Sequence, residues 1–162
     1  MQHEHLVILE YDREKVGEST QKVSNALKKG SWVQLLPHNG SKSLIPKYIL
    51  PKGPGLIINS GGSANGPHQC LQPRRHLDQS AIATGEWLRQ QGVKPEECLI
   101  LNALPFHHVS GLMPWWRSQL WEANHLWITP SLIRNPNELR GYYQGLFNEY
   151  KKSILISLVP TQ

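Results

Sequence analysis

Two stretches of this chain combine side chains in a way that suggests chemistry. The first is Ser60-Gly61-Gly62-Ser63-Ala64-Asn65-Gly66-Pro67-His68, which follows the apolar run Leu56-Ile57-Ile58-Asn59. Small residues let backbone amides approach phosphate oxygens closely, and serine hydroxyls add further donors, so the stretch reads as an anion-binding turn. A plain flexible loop has the same composition. The stretch is not a Walker A loop, because Pro67-His68 stands where Lys-Ser or Lys-Thr is required, and it is not a G-x-G-x-x-G turn. The second stretch, Leu104-Pro105-Phe106-His107-His108-Val109-Ser110-Gly111-Leu112, puts two imidazoles at the end of an expected strand, where α/β folds keep their ligands. Adjacent positions on a strand point to opposite faces, which argues against a shared zinc ion. A buried, hydrogen-bonded structural histidine is the bland alternative. Ser110 lies in Val-Ser-Gly-Leu, outside a G-x-S-x-G elbow, which sets a hydrolase aside.

The elements that must position these residues are legible as alternating strands and helices. Strands are expected at 5–11, 32–36, 55–59, 98–104, 125–129 and 153–159. Helices are expected from a Ser19 cap to Lys29, and then over 75–91, 109–123 and 137–151, with Leu77, Ala81, Thr84 and Leu88 at helical spacing in the second of these. The glycine-rich turn then lies between a strand and a helix. Residues 37–54, dense in Pro, Gly, Ser and Lys, read as a connector. The alternation predicts an α/β fold with a largely parallel sheet flanked by helices. The density of Trp115, Trp116, Trp121 and Trp127 reads as packing, with a pocket wall as the sharper alternative.

The bulk composition fits one globular domain: 162 residues, 39% hydrophobic and 18% charged. The net charge of +5 favours anionic ligands, but the pairs Lys28-Lys29, Arg74-Arg75 and Lys151-Lys152 are scattered, and a nucleic-acid partner is not expected. Cys70 and Cys98 have no C-x-x-C spacing, which suits a reducing compartment. Without a leader pattern or an apolar run of about 18 residues, a soluble cytoplasmic protein with no membrane span is expected.

The first stretch resembles the T-S-G-T-T-G-x-P-K phosphate loop of the adenylate-forming (AMP-binding) acyl-CoA ligase superfamily when Pro67 is placed on the motif's proline. Ser60-Gly61-Gly62-Ser63 is closer still to the T-G-G-S-S-G version of the o-succinylbenzoate–CoA ligases. Ala64, Asn65 and His68 depart from the pattern, replacing a hydroxyl, a glycine and a basic residue. The second stretch resembles the superfamily's P-L-F-H-x-x-G motif, with Pro105, His108 and Gly111 on its fixed positions, and His-His-Val-Ser-Gly is similar to o-succinylbenzoate ligases in particular. Ser157-Leu158-Val159-Pro160-Thr161 resembles the V-P-T segment that closes a core strand.

The resemblance implies that Ser60, Gly61, Gly62, Ser63, Ala64, Asn65, Gly66 and His68 bind ATP phosphates, and that His108, with Val109, Ser110 and Gly111, gates and contacts an aromatic carboxylate. It further implies ATP, Mg2+ and CoA as the parent enzyme's substrates and cofactor, in menaquinone or phylloquinone biosynthesis. On this basis residues 1–54 form a variable N-terminal segment and connector, and 55–162 form the first part of an AMP-binding α/β domain. The family's later Y-G-x-T-E and T-G-D segments and its lid lysine have no counterpart before Gln162, so the chain alone is expected to be inactive. The alternatives are a degenerate nucleotide-binding or interaction module, and another aryl-CoA ligase.

Overall fold

A computed structural model describes residues 6–38, 49–59, 68–150 and 153–158. The described chain forms two compact units: one holds the residues up to Leu77 together with Phe106–Val109, the other Asp78–Pro105 and the residues from Ser110 onward.

The first unit is built on a four-stranded sheet. Strands β1 (Leu6–Tyr11), β2 (Trp32–Pro37) and β3 (Gly55–Asn59) run parallel in that spatial order, and β4 (Gln69–Pro73) closes the sheet antiparallel to β3. The central strand β2 has Trp32, Val33, Leu35 and Leu36 all buried, as expected of a parallel strand covered on both faces. Helix α1 (Val16–Lys28) connects β1 to β2 and buries Val23, Ala26 and Leu27 along one stripe. Gly30, at φ +80°, ends the segment in the left-handed conformation that glycine adopts without strain.

Three details of this unit differ from the sequence-based reading. Ser19 does not cap α1. The helix begins three residues earlier, after a turn in which Asp12 Oδ1 accepts the Glu14 amide at 2.9 Å, and Ser19 is buried inside the helix. The strands also divide between two sheets rather than forming one. Most consequential, β4 stands between the glycine-rich stretch and the next helix, so residues 60–68 join two antiparallel strands. Asn59 pairs with Gln69 at one end of this hairpin and Gly55 with Pro73 at the other. Helix α2 (Arg74–Gln90) starts at that far end, where the Arg74 amide bonds the Pro54 carbonyl at 2.9 Å. Its positive N-terminal dipole therefore lies a strand's length, about 13 Å, from the stretch that was to use it. Gln-Cys-Leu-Gln-Pro is polar and ends in proline, a pattern that hides an edge strand.

The second unit carries β5 (Leu99–Asn102) between β6 (Asn124–Trp127) and β7 (Ile154–Ser157), all parallel. The period of two is visible in the core. Leu99 and Leu101 face a cluster with Ala103, Ile128, Ile133 and Leu146, whereas Ile100 packs with Leu88 and Trp121 on the other side. Helix α3 (Val109–Trp121) links β5 to β6 and buries Trp115, Trp116 and Trp121. Packing, the blander reading of these tryptophans, describes all three. Two of their indole N–H groups find partners in the packing: Trp116 Nε1 donates to Asp78 Oδ1 and Trp121 Nε1 to the Ala81 carbonyl, each at 3.0 Å. After β6 the expected single helix is two, α4 (Pro130–Arg134) and α5 (Pro136–Tyr150). Pro136 cannot donate its amide and biases Asn135 away from helix, so the break falls between them.

Candidate functional site

The first unit gathers its polar groups at the carboxyl ends of its parallel strands. Tyr11 ends β1 opposite Pro37 of β2, and Asn59 ends β3 next to the glycine-rich stretch. The His107 ring is flanked by Tyr11, with centroids 5.3 Å apart, and by His108 at 4.2 Å. Phe106 packs against Tyr11 at 6.3 Å and gives its backbone hydrogen bond to the phenol. Burial raises the Tyr11 pKa, partly offset by Arg13 and that bond. His107 is pushed down to about 4, first by desolvation and then by the neighbouring His108, so it is a neutral imidazole near pH 7.

Among the described residues of this unit, two buried polar atoms, Asn59 Oδ1 and His107 Nδ1, have no hydrogen-bond partner. Buried polar groups are nearly always paired, so two orphans on segments that both flank the expected site are informative. Sequence reasoning placed both imidazoles at a ligand-binding strand end but gave a substrate role to His108 alone, and it overlooked Tyr11 and Asn59 as site-bordering groups. An asparagine ending an otherwise apolar strand was the available signal.

The second unit fixes the other half of the histidine motif through a buried amide. Asn102, fully buried at the end of β5, donates from Nδ2 to the Gly111 carbonyl at 2.8 Å and lies 3.3 Å from His125 Nε2. Its Oδ1 accepts the Leu104 amide at 3.2 Å. With Oδ1 so used, Nδ2 is the donor toward His125, whose Nε2 must accept, leaving the imidazole proton on Nδ1. Burial pushes His125 down to about 4, which keeps this neutral form. A Cβ at Gly111 would overlap the Leu104 and Pro105 carbonyls, so only glycine allows the chain to turn into α3 this tightly. Pro114 lacks the N–H that would otherwise bond the Ser110 carbonyl.

Of the residues singled out from the sequence, His108 is partly buried against His107, Val109 is exposed, Ser110 is partly buried and Gly111 is buried and clamped by Asn102. His68 is exposed just before β4. Ser60, Gly61, Gly62, Ser63, Ala64, Asn65 and Gly66 lie outside the described residues, as do Val159, Pro160 and Thr161. Among the described residues no helix is long and apolar enough to cross a membrane, and no group of three His, Cys, Asp or Glu is placed to hold a metal ion.

No family model matches the sequence, and no curated protein sequence matches it. Solved structures do. The chain is similar to o-succinylbenzoate coenzyme A synthetase (MenE) from Bacillus subtilis in complex with ATP and magnesium ion, with a TM-score of 0.58 and 14% identity over 93% of this chain and 49% of the other. It is also similar to the same enzyme in complex with the acyl-adenylate intermediate OSB-AMP, with a TM-score of 0.55 and 14% identity over 97% of this chain and 49% of the other. The fold is that of the N-terminal domain of an adenylate-forming enzyme. The chain spans about half the length of these structures.

Proposed function

We propose that this chain is part of an AMP-forming carboxylate–CoA ligase whose acyl substrate is o-succinylbenzoate, acting in the cytoplasm in menaquinone or phylloquinone biosynthesis. The observation that carries the reading is the Pro105–Leu112 segment. Its Pro-Phe-His-His-Val-Ser-Gly wording resembles o-succinylbenzoate ligases, and it leads from the end of β5 into α3 in a chain with the adenylate-forming fold. The fold likeness supports the superfamily, and the wording supports the substrate.

In this reading one substrate carboxylate attacks the α-phosphorus of ATP, the bond to the β-phosphate breaks, and pyrophosphate leaves. CoA thiolate then attacks the acyl carbonyl and expels AMP. The role of residues 60–66 with His68 is to hold the departing phosphates with backbone amides and hydroxyls, as electrostatic stabilisation of developing charge requires. His108 contacts the carboxylate or adenylate, and Val109, Ser110 and Gly111 border the acyl group. His107, neutral by burial, offers one donor or acceptor without a competing charge. Mg2+ neutralises phosphate charge when bound.

Titration calorimetry of the 162-residue chain with ATP and Mg2+ tests the phosphate-loop part. Saturable binding is expected, weakened by Gly62→Val, and no binding by the wild-type chain would reject it. Ala64, Asn65 and His68, which depart from the family loop, favour a second reading in which the chain is a nucleotide-binding or interaction module without catalysis.

A further inference from the structure

One titratable side chain against the Asn102 clamp has no part in the function proposed above. His125 lies on β6 opposite Ile100, so it projects from the same face of the sheet as Ile100 and Asn102. Trp127 follows on that face and meets the imidazole edge-on, with ring centroids 4.7 Å apart at 74°. The Asn102 amide has three neighbours there. Oδ1 accepts the Leu104 amide at 3.2 Å, while Nδ2 donates to the Gly111 carbonyl at 2.8 Å and lies 3.3 Å from His125 Nε2. Turned over, the amide would set its oxygen against the Gly111 carbonyl and the Nε2 lone pair, and its NH2 against the Leu104 N–H. Every contact would become repulsive, in a spot out of reach of bulk solvent because Asn102 is fully buried. Two of the three neighbours are backbone groups with fixed roles. The third depends on His125 presenting a lone pair, since a proton on Nε2 would set donor against donor. Burial, which holds His125 at about 4, keeps the ring neutral and that lone pair available.

Leu104 and Gly111 bracket residues 105–110, the segment that carries His107 and His108. We propose that His125 is a positioning residue: its Nε2 lone pair locks the Asn102 amide in the orientation that grips Leu104 and Gly111, and so sets the His108 ring where it contacts the carboxylate substrate. The grip on the segment stands on the geometry alone, whereas its consequence for catalysis rests on the reading of the chain as a carboxylate–CoA ligase. Gly111 already stands so close to the Leu104 and Pro105 carbonyls that the two ends cannot draw nearer. Loss of the lock therefore lets them part, and the histidines between them shift. Misplacing a substrate contact by about 1 Å costs a rate factor on the order of a hundred at the upper end.

The test compares His125→Leu, which removes the acceptor, with His125→Gln, whose Oε1 can stand where Nε2 stands. Imidazole proton–nitrogen spectra of the 162-residue chain near neutral pH should show the wild-type His125 ring with its proton on Nδ1 and none on Nε2. The His108 ring signals, which report its contact with His107 at 4.2 Å, should move in His125→Leu and return towards their wild-type positions in His125→Gln. In the native gene product that contains this chain, kcat/KM for the acid in pyrophosphate exchange should fall about tenfold or more in His125→Leu and recover in His125→Gln. A proton on Nε2 of wild-type His125 overturns the proposal, and this measurement decides even should His125→Leu fail to fold. His108 signals that neither variant moves, or that both move equally, overturn it too, because His125 would then only pack. Exchange at the wild-type rate in His125→Leu likewise overturns it. If the spectra behave as expected but the wild-type gene product exchanges pyrophosphate with no carboxylate, the lock on the segment stands and the ligase reading fails.

Discussion

The Asn102 side chain donates a 2.8 Å hydrogen bond to the carbonyl of Gly111, tying the end of β5 to the first turn of α3. Through this bond and its acceptance of the Leu104 amide, one buried amide sets the path of the intervening Pro-Phe-His-His turn. Asn102→Ala removes both bonds and leaves the buried Leu104 amide without its acceptor. It should lower unfolding stability by about 3 kcal/mol in urea denaturation. A loss no larger than that of an exposed substitution would mean that the turn holds itself.

Gly111→Ala should destabilise the fold by about 2 kcal/mol or more, because the added methyl meets backbone carbonyls of Leu104 and Pro105 that have no side-chain freedom to yield. Gly55→Ala should behave similarly, since its Cβ would lie 2.8 Å from the Gln72 carbonyl and against the Trp32 ring. Gly141→Ala is the control, with open space around it in a helix interior, and should be neutral or stabilising. Thermal melts of the three variants give the ranking.

His125 and His107 are each held at about 4 in the folded state against an ordinary value of 6.5. Above pH 6.5 both states are neutral and stability does not depend on these groups. As pH falls from 6.5 through 4 the unfolded chain takes up protons that the folded chain refuses, so stability falls across that window. The urea midpoint should therefore drop between pH 7 and 4, and His125→Gln should flatten part of the slope. A parallel slope in the variant would show that His125 titrates normally.

Trp121→Phe removes the indole N–H that donates to the Ala81 carbonyl, in a spot so tight that a Cβ added at Gly85 would lie 3.0 Å from the indole Nε1. A loss of about 1–2 kcal/mol is expected from chemical denaturation. Trp87, exposed on α2, should tolerate the same change.

Much of the fold was legible because periodicity carried it: Leu99, Ile100 and Leu101 alternate between two clusters, and Leu77, Ala81 and Leu88 repeat along α2. Strand β4 was not, because an edge strand buries too little to impose alternation, and Gln69 to Pro73 shows none. That omission turned a hairpin into an expected strand–turn–helix. In the histidine segment, residue types marked His108, but nothing local revealed that His107 loses its charge or that Asn102, six positions earlier, clamps Gly111. Those facts depend on burial and on partners such as His125, which only the fold brings near.

The most direct test of the central claim is carboxylate-dependent exchange of labelled pyrophosphate into ATP by the native gene product that contains this chain. Exchange with o-succinylbenzoate, and little with benzoates or fatty acids, is the expected result. Exchange that is absent with o-succinylbenzoate, or equal for all three acids, would contradict the proposed substrate, and its absence with every carboxylate would leave a nucleotide-binding or interaction module as the better account.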